Sequence, residues 1–199
     1  MSQRPPQARA VRTRQRLLDA TVQALNGEGY SGTTTQEVCR RAGVSRGTLL
    51  HHFGTRNELL VAALRHILSD RVATFVATNR DAVANMTPAE LLERMWVQWQ
   101  GPALAAWLEL AVAARTDEEL RLPMQRVMAE FDQQVVAAFR ELLGPNALPG
   151  SLGETVPFVV FAILNGLAVG QSYEAPGHHR PVLDLLKVAA NGWLGADRD

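Results

Sequence analysis

The sequence has one cysteine, one lysine and few aromatic residues, and each shortage restricts its interpretation. Cys39 cannot form an internal disulfide, so nothing points to an oxidising compartment. No apolar run reaches about 18 residues, and no apolar signal core follows the arginine-rich N-terminus, so we expect a soluble, cytoplasmic protein without a membrane partner. Aromatic residues make up 6% and hydrophobic residues 47%, a composition that favours helices packed on helices.

The formal net charge is zero, but the charge is unevenly distributed. Residues 1–56 hold nine arginines against three acids, a net charge of +6, whereas the remainder holds ten arginines and Lys187 against seventeen acids, a net charge of −6. A basic head on an acidic body is typical of a protein whose N-terminal end meets a polyanion. A chance cluster of solvated arginines has the same composition.

Apolar residues recur at helical spacing along nearly the whole chain, without a convincing alternating strand. Five capping boxes predict helix starts, at Thr34/Glu37, Thr55/Glu58, Thr87/Glu90, Thr116/Glu119 and Ser151/Glu154. Glycines at positions 27, 29, 43, 101 and 144 predict helix ends. We expect an all-α fold of about nine helices, the later ones near 55–79, 87–100, 102–114, 116–143, 151–174 and 179–194.

Residues 34–53 have the pattern of a helix-turn-helix. Thr34 caps a helix that runs to about Ala42, and Gly43 supplies the left-handed conformation that a sharp turn requires. Ser45 caps a short second helix that ends near His52. In such a motif the second helix enters the major groove of DNA with its first residues at the base edges.

The apolar residues of this segment should face inward, and they are Val38, Ala42, Val44, Leu49 and Phe53. The residues left to face the groove are Ser45, Arg46, Gly47, Thr48 and His51. Arg46 suits the two acceptors of guanine, and Gly47 lets the backbone approach the bases. The adjoining helix starts have free N–H groups that attract phosphate, and they hold Thr34, Thr35, Gln36, Thr55 and Arg56.

The segment resembles the TetR family of bacterial regulators. The matching residues are Thr34, Thr35, Ala42, Gly43, Val44, Ser45, Gly47, Thr48, Leu49, His52, Phe53, Thr55, Leu59 and Leu60. The motif covers about the first quarter of the chain; the rest is similar only in the number, lengths and order of its helices. The resemblance implies that the residues facing double-stranded DNA include Thr35, Gln36, Arg46, Gly47, Thr48, His51 and Arg56.

Three positions depart from the family pattern. Leu50 replaces a tyrosine whose hydroxyl touches the DNA backbone, Arg56 replaces a lysine with its charge retained, and Cys39 replaces a small residue. Cys39 is open to two interpretations, a core thiol or a redox-sensitive group, of which the core thiol is favoured. The arm before the first helix adds Arg4, Arg9, Arg12, Arg14 and Arg16, the last of them inside the helix. It is either a DNA-binding arm or a solvated tail, of which the DNA-binding arm is favoured.

The resemblance also implies two domains. Residues 1–54 would form the arm and a three-helix DNA-binding domain, and residues 55–199 a larger helical effector-binding and dimerisation domain. The last two helices would form a four-helix homodimer interface through Phe158, Phe161, Ile163, Leu164, Leu185 and Trp193. A monomer that buries these residues internally is the alternative.

A ligand cavity is expected on the helices that enclose one in the family. The candidate lining residues are Met95, Trp96, Trp99, Trp107, Glu109, Met124, Met128 and Phe131. Flexible methionines and flat tryptophans suit an adaptable apolar site, with Glu109 as a polar anchor. Ordinary core packing is the alternative for each of them.

These patterns predict a TetR-like transcriptional regulator, most simply a repressor that a small, mainly apolar effector releases from a palindromic operator. We expect no enzyme activity, cofactor or metal site, since no catalytic triad, glycine-rich phosphate loop or metal-ligand spacing is present. The sign of regulation and the identity of the effector are open. A helical adaptor whose DNA-binding head has lost affinity is the rival that Leu50 favours.

Overall fold

The computed structural model describes residues 6–144, 147, 152–171, 173–175 and 177–194, and within them every regular element is helical. The helices are α1 (Pro6–Gly32), α2 (Thr35–Ala42), α3 (Arg46–His52), α4 (Arg56–Asn79), α5 (Pro88–Trp99), α6 (Pro102–Ala113), α7 (Glu118–Leu143), α8 (Leu152–Gly170) and α9 (Arg180–Leu194). A short 3₁₀ helix, Val83–Asn85, precedes α5. The all-α prediction is confirmed.

The start of α1 corrects one expectation. The helix begins at Pro6, so Arg9, Arg12 and Arg14 lie on it and not on an extended arm before it. A proline in the first turn costs nothing, because the N–H that it lacks has no helical partner there. The helix also continues through Gly27 and breaks only at Gly29, whose φ of 69° is left-handed. Arg4 lies outside the described residues.

The helix caps mostly follow the predicted boxes. Thr87 and Glu90 form a complete capping box with Pro88 in the first turn. Glu37 donates its N–H to the Thr34 hydroxyl, and Glu58 donates its N–H to the Thr55 hydroxyl.

One predicted box is wrong, and one cannot be compared. The carboxylate of Asp117, not the hydroxyl of Thr116, accepts the N–H of Leu120 and caps α7. An ionised carboxylate is a stronger acceptor than a hydroxyl at a positive helix terminus, which favours the aspartate. Ser151 lies outside the described residues.

The chain divides into two compact units. The first comprises the residues up to Leu68 together with Ala105–Ala129, and the second comprises Ser69–Leu104 and the residues from Glu130 onwards. In the first unit α2 packs against α1 and α3, and its fully buried side chains include Leu17, Leu25, Val38, Leu49, Leu60 and Leu110.

In the second unit α5 packs against α8 and α9. One apolar cluster of this unit contains Val76, Val83, Met86, Leu91 and Leu142. In the part of the chain that the structure describes, no helix is both long and apolar enough to cross a membrane.

Candidate nucleic-acid interface and ligand cavity

The helix-turn-helix forms as its local sequence predicts. Gly43 ends α2 with φ 61° and ψ 42°, the left-handed conformation in which a β-carbon is unfavourable. Ser45 accepts the N–H of Thr48 and caps α3, and the Ser45 and Thr48 hydroxyl oxygens lie 2.9 Å apart. α3 is therefore held at its N-terminal end, where a recognition helix meets bases.

The structure also places the apolar residues of this motif inward and the polar ones outward. Val38, Ala42, Leu49 and Phe53 are buried, and Val44 is half-buried. Of the residues expected to face DNA, the exposed ones are Thr34, Gln36, Ser45, Arg46, Gly47 and His51, and the half-buried ones are Thr35, Thr48 and Arg56. The start of α3 thus presents polar groups and one cation on an exposed surface.

At this surface, Arg46 and Gly47 are not needed for hydrogen bonding or packing within the protein. Arg46 is exposed and makes no hydrogen bond or ion pair with any described residue. A β-carbon at Gly47 would meet only the Ser45 Oγ atom, at 3.8 Å. Internal packing therefore does not require glycine there, and its missing side chain leaves room for an external partner.

Arg56 is placed differently from the expectation that it faces DNA. Its Nε donates to the carbonyl of Thr33 at 2.8 Å, and its terminal nitrogen donates to the carbonyl of Tyr30. The guanidinium also stacks over the Tyr30 ring, 4.3 Å from its centre. Carbonyls at the end of α1 have no helical partner, so Arg56 holds this connection together.

Tyr30 is the centre of a network that the sequence patterns do not reveal. Its N–H donates to a Glu109 carboxylate oxygen at 2.7 Å, and its hydroxyl donates to Asp117 at 2.9 Å. The pKa of Asp117 is lowered, first by the N–H of Leu120 and then by the Tyr30 hydroxyl. The network joins the end of α1 to α6 and to the cap of α7 within the first unit.

Two arginines of the basic head are neutralised within the protein. Glu37 accepts hydrogen bonds from both Arg40 and Arg41, which lower its pKa from 4.5 to about 2. Arg41 also pairs with Glu28 at 2.9 Å. Among the described residues, no acid pairs with Arg9, Arg12, Arg14 or Arg16 of α1. Arg14 lies over the Phe53 ring, 5.2 Å from its centre, whereas Arg9, Arg12 and Arg16 are exposed at spacings of three and four residues and therefore lie on one side of the helix.

Cys39 is a buried thiol that is only 8% exposed. Burial raises its pKa, and the nearby charge of Arg46 offsets only part of that shift. Since the thiolate is the reactive form, these surroundings favour a core role over a redox role.

A cavity with about 60 Å³ of room for the centres of water-sized molecules, partly open to solvent, lies in the second unit. Its walls are almost entirely apolar side chains of α4, α5, α7 and α8, among them Phe75, Met95, Trp99, Phe131, Phe139 and Phe161. Its polar lining residues are Arg71 and Gln98. This volume is well below the roughly 300–1,000 Å³ of typical small-molecule sites, so only a small ligand fits without movement of the lining side chains.

Three of the eight residues predicted to line a cavity do line it: Met95, Trp99 and Phe131. Trp96 is buried elsewhere, with its ring 5.0 Å from that of His179. The remaining four are in the first unit because α6 and the start of α7 belong there; they are Trp107, Glu109, Met124 and Met128. The Glu109 carboxylate accepts the N–H of Tyr30 and so is not an anchor in this cavity.

Only some of the residues expected at the dimer interface are exposed. Phe158 is exposed on α8 and Leu185 is 70% exposed on α9, with Val159, Val182 and Val188 also exposed. Leu164 is fully buried, so its side chain packs inside the protomer and is not available to a partner. Phe161 packs edge-on against Trp99 at 4.2 Å, and Ile163 is half-buried. The side chain of Trp193 lies outside the described part.

No cluster of three or more metal-ligating side chains occurs among the described residues. His66 of α4 lies 2.7 Å from the Gln15 amide and 3.7 Å from Asp19, so its polar neighbours are side chains of α1.

Known proteins resemble this chain in sequence and in fold. Residues 17–63 match the family described as bacterial regulatory proteins, tetR family. An uncharacterized HTH-type transcriptional regulator of Mycobacterium tuberculosis is 32% identical over 164 residues, which cover 81% of this chain and 82% of the relative.

Solved structures have the same fold. A TetR-family regulator from Rhodococcus sp. is 23% identical, with a TM-score of 0.72 over 92% of this chain and 99% of its own. A transcriptional regulator from Saccharomonospora viridis, solved in complex with choline, is 16% identical, with a TM-score of 0.64 over 94% and 97% of the two chains. The motif, the relative and the fold agree: this chain belongs to the TetR family of bacterial regulatory proteins and is a DNA-binding transcriptional regulator, not an enzyme.

Proposed function

We propose that the chain is a cytoplasmic repressor that binds a palindromic operator as a homodimer and is released by a small, mainly apolar ligand. In functional terms, residues 1–54 would read DNA and residues 55–199 would bind the ligand and the second copy. The observation that carries the proposal is the start of α3, where a capped helix presents Arg46 without a protein partner beside a glycine that internal packing does not need.

Direct contact with bases is assigned to Arg46, Thr48 and His51, with Ser45 and Gly47 at the same surface. A bidentate arginine–guanine contact discriminates against other bases by about 1–3 kcal/mol. Phosphate contacts are assigned to the start of α2, at Thr34, Thr35 and Gln36, whose N–H groups attract anions. The stripe of Arg9, Arg12 and Arg16 on α1 would add nonspecific, salt-dependent affinity.

Dimerisation is supported by the exposed apolar side chains of α8 and α9. Phe158, Val182, Leu185 and Val188 leave apolar area in water that a second copy would cover. A β-carbon at Gly166 would meet nothing within 4 Å, so α8 has room there for close approach of another helix. A dimer places two recognition helices about 34–36 Å apart, as successive major grooves of a palindrome require.

Ligand control is supported by the cavity of the second unit and by the choline found in one structural neighbour. Release then follows from a population shift, in which the ligand prefers the form of the dimer that does not fit the operator. A preference of about 5.5 kcal/mol moves such an equilibrium from 1:99 to 99:1.

The experiment is fluorescence anisotropy with DNA from upstream of the gene, across a range of salt concentrations, beside an unrelated duplex. We expect specific binding that weakens steeply with salt and that Arg46→Ala weakens by about 1–3 kcal/mol in each half-site. Arg121→Ala is the matched control, because it removes the same charge from an exposed arginine whose acidic partner among the described residues is Glu118. Equal affinity of both variants for the operator would refute the assignment of Arg46.

An adaptor with a weakened DNA-binding head is the second candidate, and one observation favours it. Leu50 on α3 is 44% exposed where family members have a tyrosine. Leucine cannot donate a hydrogen bond to phosphate, so one backbone contact is missing. The test is a selection from genomic DNA fragments with the parent protein and with Leu50→Tyr. If either returned no preferred sequence, the adaptor would be favoured.

A further inference from the structure

Arg71 is a half-buried cation that lines the apolar cavity of the second unit. Its side chain extends from α4, and its guanidinium lies over the Trp99 ring, 4.3 Å from the centre. One terminal nitrogen donates to the carbonyl of Gln98, and the Gln98 amide donates to the carbonyl of Arg71 at 3.0 Å. These contacts fix the guanidinium against one wall of the cavity.

The charge of Arg71 has no carboxylate partner among the described residues. By contrast, Arg80, which directly follows the end of α4, pairs with Glu141. Burial lowers the pKa of Arg71 to about 10, so the group stays charged at neutral pH while losing part of its hydration. Asp132, on α7 beside Phe131, does not supply the missing charge: burial raises its pKa, whereas an adjacent guanidinium would lower it.

An uncompensated cation in an apolar site is unfavourable unless something else pairs with it. The guanidinium has five N–H donors, and one carbonyl engages only part of that set. The walls beyond it are aromatic and aliphatic, including Phe75, Phe131, Phe139 and Phe161. The cavity therefore combines one fixed positive charge with an apolar lining.

We propose that the ligand of this cavity is an amphipathic carboxylate, whose anionic head pairs with Arg71 and whose alkyl or aryl body lies against the wall that contains Phe75, Phe131 and Phe139. The proposal rests on the ligand control proposed above and specifies the chemical class of the effector. A ligand cation is excluded, because the guanidinium already covers the Trp99 face and repels a second positive charge. A neutral ligand of the same shape fills the apolar part but leaves the charge of Arg71 unpaired.

The test uses three compounds with one eight-carbon chain and different heads: octanoate, 1-octanol and octyltrimethylammonium. Their dissociation constants for the full-length protein are measured by isothermal titration calorimetry, and their release of operator DNA by anisotropy. A charge-assisted pair predicts that octanoate binds about tenfold or more tightly than octanol and that the ammonium compound binds most weakly. Release of DNA should follow the same order.

Two variants separate the role of the charge from a general effect on folding. Arg71→Met removes the charge and keeps an apolar stem, so the preference for octanoate over octanol should disappear. Arg94→Met is the matched control: it removes an exposed arginine of the same unit that bonds Asn79 and does not line the cavity, so the preference should remain. Thermal unfolding of each variant checks that the second unit is intact.

Each outcome bears on the proposal. Octanol binding as tightly as octanoate to the parent, or a preference that survives in Arg71→Met, would overturn the anion assignment. If octanol or the ammonium compound released the operator and octanoate did not, ligand control would stand and the anion assignment would fall. If none of the three bound, the cavity would not be an effector site, and the proposed ligand control would fall with it, while DNA binding would be untouched.

Discussion

Replacing Arg56 by methionine should destabilise the protein without reducing the number of phosphates that it contacts. The change removes two hydrogen bonds from a charged donor to the carbonyls of Tyr30 and Thr33, together with the contact over the Tyr30 ring. Hydrogen bonds to charged groups contribute about 1.5–3 kcal/mol each, and in this half-buried place water replaces part of them, so we expect a loss of about 2–4 kcal/mol. For a chain of this size, that loss corresponds to a thermal unfolding midpoint about 4–16 °C lower.

The assay pairs two measurements at one protein concentration. Thermal unfolding followed by circular dichroism gives the loss of stability, and operator affinity against salt concentration gives the number of phosphates neutralised. Arg121→Met is the control, since its surface ion pair contributes about 0–1 kcal/mol. If Arg56→Met melted like the parent while its salt slope fell by about one unit, Arg56 would be a phosphate contact and the structural role argued here would be refuted.

Three further predictions follow from single contacts. Ser45→Ala should lower the free energy of unfolding by about 1 kcal/mol, measured with urea, because α3 loses its N-cap; an unchanged midpoint would contradict the cap. The pKa of Glu37 falls from 4.5 to about 2 on folding, so the stability that its carboxylate contributes is present above pH 4.5 and lost as the pH falls towards 2; Glu37→Gln should flatten this part of the urea-midpoint profile, and an identical profile would contradict it. Leu185→Asp should yield monomers in analytical ultracentrifugation, whereas Val97→Asp, at an exposed valine of α5, should not; dimers in both would place the interface elsewhere.

Sequence reasoning succeeded where a structure depends on neighbours within about four residues. Gly43 needs only its own left-handed conformation, and Ser45 needs only the N–H of Thr48, so the helix-turn-helix and the exposure of Arg46 follow from local patterns. The predicted start of α1 was wrong, although Pro6 is a typical first-turn residue. The arginine-rich segment lacks apolar periodicity and was therefore interpreted as an arm. Asp117 was overlooked because an adjacent Thr116 satisfied the capping pattern.

The cavity and the Tyr30 network could not be predicted in this way, because their contacts join distant parts of the chain. Trp99 meets Phe161 edge-on and Arg71 on its face, and neither partner has a spacing that marks it in the sequence. Glu109 was assigned to the cavity from its position among tryptophans, yet its carboxylate accepts a hydrogen bond from Tyr30, 79 positions earlier. Which face of α6 packs inward is decided by tertiary contacts, not by the composition of the helix.

The most direct test of the account is base discrimination by Arg46. After a genomic selection has given the operator, the affinities of the parent and of Arg46→Ala are measured for duplexes substituted at every position in turn. We expect the variant to lose about 1–3 kcal/mol of discrimination at one position in each half-site and to keep the rest. A variant that bound every duplex more weakly by the same factor would show that Arg46 contacts phosphate only, and the recognition role of α3 proposed here would be contradicted.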